Sequence, residues 1–364
     1  MPRFINTAAG LIAALPELNG AELIALDTEF HTERWYYPRL MLLQLRVDAR
    51  EPLLIDPLSV SIAPLAVPLS TRPVIVHGGQ QDAQILYRML GVVPNIVYDT
   101  QVAAGFAGAG YPIRLQELVR RFLGAHMPKG ETLSDWSRRP LSPAQLGYAA
   151  DDVLVLHDLK GALDIELQRS GLGGAAAEAT RDMVESASRA PDDSRAWTRV
   201  GGAQTLEADE RACLQALVAW RDREARDRDV QKNALASDAV LLDLARRRPE
   251  SAQEMRANRR MPGHLSRQEA DVLLDLLANP GPAPAPLARD KGAFDVVRAA
   301  TRVVERRTGI AAELLLPDAE IHSLLAGNPC RAWRVPLLGQ DFASFIRGDS
   351  PFCIPADFLL QTIP

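Results

Sequence analysis

Every short apolar run that reads as a β-strand falls within the first 100 of 364 residues, and none follows. AELIALDTEF (21–30), LMLLQLRV (40–47), EPLLIDP (51–57), TRPVIVHGG (71–79) and NIVYDT (95–100) are apolar stretches bounded by turn residues, the pattern of buried strands. Later runs in this region have helical spacing instead. Ile85, Leu86, Met89 and Leu90 recur as one helix face that Gly91 closes, and VAAGFAG and LQELVRRFLG follow as helices. The run LSPAQLGYAADDVLVLHDLKGAL places Ser142 at an N-cap and Pro143 at the first helical position. Strands first, then strands alternating with helices, predict an α/β layer domain on a mixed sheet over residues 1–168. Residues 1–20 read as an amphipathic helix, because Pro16 and Glu17 interrupt the apolar stretch that a secretory leader requires.

Beyond residue 168 the pattern changes. Residues 169–204 read as a connector carrying some helix, and 205–280 as helices without strands. NPGPAPAPLARDKG marks a Pro-rich linker over 281–291, and 292–364 is helical again. No apolar run approaches the roughly 20 residues of a membrane span. Cys213, Cys330 and Cys353 form neither a disulfide framework nor a CxxC zinc site, which suits a reducing compartment. A cytoplasmic monomer without membrane contact is expected. The net charge of −5 argues against nucleic-acid binding. Against that stand the arginine clusters at 120–121, 138–139, 246–248 and 256–260, which either grip phosphates or solvate helix faces.

Asp27 and Glu29 end the first long run. Residues two apart on a strand point the same way, so two carboxylates emerge together from a buried strand. Such a pair is either a solvated turn or a site that a cation holds together. Tyr148 and Asp152 lie four apart on the Ser142 helix and share a face. They read either as a phenol beside a metal-binding carboxylate or as a core tyrosine with an exposed acid. Asp151 points about 100° away from Asp152, so one site cannot use both equally. Asp82 stands in the first turn after Gly78–Gly79, where an acid also suits the helix dipole.

The blocks LDTEF, VHGGQQDAQIL and YAADDVLVLHDL resemble, in order and spacing, the tyrosine-bearing branch of the DEDD exonuclease superfamily. WYYPRLMLLQL, LIDPL, VYDTQVAA and KGETLSDWSRRPLSPAQLGYAADDV extend the likeness, which is greatest to the ribonuclease D family. The resemblance implies a ribonuclease H-like α/β catalytic domain followed by all-α HRDC-type domains. It implies that Asp27, Glu29, Asp82 and Asp152 hold two divalent cations, Mg²⁺ or Mn²⁺, about 3.5–4 Å apart, with Tyr148 as the catalytic tyrosine. Oxygen ligands without a His/Cys cluster favour those ions over zinc. An unperturbed phenol titrates near pKa ~10, so Tyr148 is expected to orient water rather than act as a strong base.

The implied reaction removes nucleoside 5′-monophosphates from RNA with a free 3′ end, with tRNA precursors as the expected partner. Phe30, His31 and Trp35 are candidates to stack on terminal bases, Phe30 foremost, and Lys129 and Arg139 to contact phosphate. Trp35 and Tyr36 equally suit a core, and His77 and Trp136 read as structural. LEADERACLQALVAWRDREARDRD resembles the start of an HRDC domain, although QKNALASD departs from the family's proline-containing turn. FDVVRAATRVVERRTGI and CRAWRVPLLGQDFASFIRG resemble a second, divergent module. The alternatives are a DNA 3′→5′ exonuclease, since only contacts to the 2′-OH separate the two substrates, and a non-catalytic RNA-binding scaffold, which would have lost an acid.

Overall fold

The computed structural model describes residues 2–128, 134–189, 193–256, 261, 266–285 and 291–346. Lys129, Cys353 and the arginines at 259–260 lie outside them. Two compact units result: residues 1–30, 40–189 and 292–364 form the first, and residues 31–39 with 190–291 the second.

The first unit is built on a six-stranded mixed sheet in the order β1-β4-β3-β2-β5-β6. The strands are β1 (Arg3–Ile5), β2 (Ile24–His31), β3 (Arg39–Val47), β4 (Leu53–Ile55), β5 (Val74–Val76) and β6 (Ile96–Asp99). The pairs β1–β4, β2–β5 and β5–β6 are parallel and β3–β4 is antiparallel. The first twenty residues form one element more than their pattern predicted. The three-residue β1 precedes the helix Ala8–Asn19, which Thr7 caps.

Alternation along β2 and β5 decides where the core lies. Ile24, Leu26, Val74 and Val76 join one apolar cluster with the helices Ala8–Asn19 and Gln80–Leu90. Ala25 and Ile75 join another, with helices between Thr100 and Ala187. A sheet covered on both faces explains why its strands read as unbroken apolar runs.

The expected helix over 141–163 forms as two, Pro143–Leu154 and Leu156–Ser170. A capping box starts the first of these. Gln145 N–H donates to Ser142 Oγ at 3.2 Å, and Ser142 N–H donates to Gln145 Oε1 at 2.9 Å. Part of the expected connector is ordered as the helix Gly173–Ala187. From residue 292 the chain packs back on the first unit, where Val297, Val304, Leu315 and Phe342 share the core of Leu159 and Leu163. A Cβ on Gly105 would come within 2.2 Å of Leu314 Cδ1, so a larger residue there would have to push that side chain aside. Asp182 fastens the same segment by accepting from Arg331, from Trp333 Nε1 at 3.3 Å and from Arg334 at 3.2 Å.

The second unit is helical, with its core on Leu214, Leu217, Trp220, Leu241, Leu244 and Leu273. Buried Arg221 pairs with Asp222 at 2.9 Å and with Asp238 at 2.6 Å. The stretch QKNALASD forms one turn, Lys232–Leu235, before Ser237 caps the next helix. The segment 31–39 belongs here too. Asp229 accepts from Tyr37 N–H at 3.1 Å and from Arg39 at 2.6 Å, and Arg39 also lies over the Trp35 ring. Among the described residues no helix is long and apolar enough to cross a membrane.

Candidate active site

Asp27 and Glu29 continue the face of β2 that carries Ala25, toward the cluster holding Val153 and Leu156. Asp152, buried on the helix Pro143–Leu154, meets them there. One carboxylate oxygen from each of Asp27, Glu29 and Asp152 lies within 4.8 Å of the others. Asp151 is not part of this group, so of the two neighbouring acids the cluster takes Asp152.

Thr28, between the two β2 acids, points to the opposite face with Phe30. Its hydroxyl donates to Asp82, which arrives on the first turn of Gln80–Leu90. Three of the four expected acids therefore form one cluster, and Asp82 sits beside it, held by Thr28. Tyr148 lies one turn before Asp152, its hydroxyl donating to that carboxylate. The buried Trp136 ring backs it at 6.2 Å.

Burial and mutual repulsion dominate the electrostatics. Burial raises the Asp27 carboxyl well above its ordinary value, and the charges of Asp152, Asp82 and Glu29 add to that. Glu29 is pushed up to about 8 by burial first, then by Asp152 and Asp82. Burial lifts Asp152 to about 7 although the Tyr148 hydroxyl opposes it, and lifts Asp82 to about 6 against the Thr28 bond. Without a cation this cluster strongly resists full ionisation.

The other predicted contacts fall out differently. Phe30 packs against the core beneath β2 and is partly buried. His31 is the half-exposed last residue of β2 and is grouped with the helical unit. Arg139 departs from its expected phosphate role. Its guanidinium binds Asp56 through Nε at 2.8 Å and Nη2 at 2.7 Å, and donates to the carbonyls of Met41, Trp136 and Arg138. All five donors are occupied, so the side chain braces β3 and β4 instead of reaching a ligand. His77 is structural, as expected, bonded to Thr100 Oγ1 at 2.9 Å and the Ile113 carbonyl at 3.0 Å.

Sequence reasoning passed over Asp99. Its signal was an acid at a strand end directly before a helix, the place of an N-cap.

Residues 2–168 match the 3′-5′ exonuclease domain family, and residues 210–277 match the HRDC domain. A ribonuclease D from Zymomonas mobilis is 30% identical, covering 99% of this chain and 97% of its own. The chain belongs to the ribonuclease D family. A second member, from Xanthomonas oryzae, is 35% identical over 89% of this chain and 90% of its own. The crystal structure of Escherichia coli RNase D superposes with a TM-score of 0.84 at 29% identity, covering 96% of this chain and 99% of that one. That protein is described as an exoribonuclease involved in structured RNA processing. The ribonuclease D family thus supplies a 3′-5′ exonuclease domain for the carboxylate cluster and an HRDC domain for the second unit.

Proposed function

We propose that this chain is a cytoplasmic 3′→5′ exoribonuclease that hydrolyses terminal phosphodiester bonds, with the 3′ ends of tRNA precursors as its substrate. The observation that carries the reading is the cluster of Asp27, Glu29 and Asp152, with Asp82 beside it and Tyr148 bonded to Asp152. Family membership supplies the polarity and the choice of RNA.

The donor set fits two divalent cations, Mg²⁺ or Mn²⁺. It offers only hard oxygen ligands, and its carboxylates are close enough to raise one another's pKa. When bound, such ions supply Lewis-acid chemistry, acidifying water and stabilising charge on phosphoryl and leaving oxygens. Asp27, Glu29, Asp82 and Asp152 would hold them. Tyr148 Oη, fixed by Asp152 and backed by Trp136, orients the attacking water. Phe30, only partly buried, is the candidate to stack on the terminal base, with His31 next to it in sequence. Residues 292–364 are read as a divergent HRDC-like module, one whose Val297, Val304 and Leu315 share the core of the first unit.

Matched RNA and DNA strands, each carrying the same 3′ extension, test the substrate assignment with Mn²⁺ or Mg²⁺ present. The expected result is faster trimming of RNA, and of a tRNA precursor over an unstructured strand. Equal or faster trimming of DNA would refute it.

A further inference from the structure

Asp82 is the acid that comes from a different element than its neighbours, and its position depends on where the helix Gln80–Leu90 begins. That helix has no side-chain cap of its own, since its N-cap residue is Gly79. The turn before it is tight. Gly78 has φ +67, and a Cβ on Gly79 would come within 2.4 Å of Val76 Cγ2. A side chain at Gly79 would collide with Val76 and one at Gly78 would be strained, and two adjacent glycines hold a shape poorly unless something binds them.

Asp99 does so. The residue is 2% exposed. Oδ1 accepts from Gly78 N–H at 2.9 Å, Gln101 N–H at 2.8 Å and Val102 N–H at 3.3 Å. Oδ2 accepts from Gly79 N–H at 2.9 Å. One side chain thus caps its own helix, Thr100–Phe106, and pins the turn that starts the helix of Asp82. Thr100 and His77 tighten the same joint. Thr100 Oγ1 donates to the Val76 carbonyl at 3.1 Å, while His77 bonds Thr100 and Ile113. At its far side, Asp82 is held by the Thr28 hydroxyl.

We propose that Asp99 is a positioning residue for the metal site, fixing the Gly78–Gly79 turn so that Asp82 is presented beside Asp27 and Glu29. The proposal rests on the assignment of those acids as metal ligands. Asp99 touches neither ligand nor substrate and acts through backbone amides. An asparagine with its oxygen at the Oδ1 position keeps three of the four bonds. It then sets an NH₂ donor against Gly79 N–H, one residue before the helix.

The test compares wild type, Asp99→Asn and, as a control for plain destabilisation, Asp182→Asn at the fastening of the 292–346 segment. Mn²⁺ binding is titrated calorimetrically, and kcat and KM are measured on 3′-extended RNA. Residues that orient metal ligands change affinity or rate on the order of 10–100-fold when replaced. Asp99→Asn is expected to weaken Mn²⁺ binding and lower kcat within that range, with KM for RNA within about twofold. Asp182→Asn is expected to lower only the melting temperature. An Asp99→Asn protein that melts lower but keeps the wild-type Mn²⁺ affinity and kcat overturns the proposal. If Asp99→Asn does not fold, Thr100→Val loosens the same joint, and an unchanged Mn²⁺ affinity there has the same force. Failure of the nuclease reading itself is distinguishable, because wild type would then bind Mn²⁺ without shortening RNA.

Discussion

Replacing Glu29 by glutamine should destroy activity and at the same time make the metal-free protein more stable. Glu29 is raised from 4.5 to about 8 in the folded chain, by burial and by the neighbouring acids. Between those values the folded state binds more protons than the unfolded one, so stability falls as pH rises. At about 1.4 kcal/mol per pK unit, the shift corresponds to roughly 4–5 kcal/mol lost by pH 8. Neighbouring carboxylates share the proton, so the gain from Glu29→Gln should be smaller, about 1–4 kcal/mol at pH 8 and close to none at pH 4.5. A unit of this size gains about 2–4 °C per kcal/mol, which predicts a rise of several degrees in melting temperature. The assay is thermal unfolding in EDTA at pH 5 and pH 8, repeated with Mn²⁺. Wild type should melt lower at pH 8 than at pH 5 in EDTA, and Mn²⁺ should stabilise it most at pH 8. Glu29→Gln should flatten both dependences. A metal-free wild type insensitive to pH across this range, or a variant less stable than wild type at pH 8, would refute the electrostatic account of the cluster.

Two further substitutions separate chemistry from bracing. Tyr148→Phe removes the hydroxyl bonded to Asp152 and should lower kcat by on the order of 10²-fold or more while RNA affinity persists; gel-shift binding beside single-turnover rates checks this. Arg139→Ala strands the buried Asp56 carboxylate and should cost about 3 kcal/mol in denaturant unfolding, with RNA affinity unchanged.

What the sequence disclosed of the site depended on how local the signal was. Asp27 and Glu29 share a strand, and Tyr148 and Asp152 share a helix turn, so periodicity alone paired them. Joining the two pairs required the family likeness, because nothing in spacing tells which helix covers which strand. Arg139 was misread for the complementary reason. Its partner Asp56 lies 83 residues away, and a surface arginine and a buried brace look alike in a sequence. Asp99 showed only as an acid before a helix, while half of its bonds reach back to Gly78 and Gly79. At the level of the fold, a three-residue strand such as β1 is too short to carry a period. The Gly- and Ala-rich stretch 173–187 has few large apolar residues to mark it as a helix. The Pro-rich linker suggested a free-standing segment after residue 291, yet that segment shares the core of the first unit.

The most direct measurement of the central claim follows 5′-labelled RNA during incubation with Mn²⁺, for wild type and for Asp27→Ala. The account predicts a ladder shortening from the 3′ end one nucleotide at a time, with mononucleotide 5′-monophosphates released. EDTA should abolish it, and Asp27→Ala should reduce it at least 10²-fold, as expected when a ligand of the ions is removed. Internal fragments as first products, or undiminished shortening by Asp27→Ala, would contradict it.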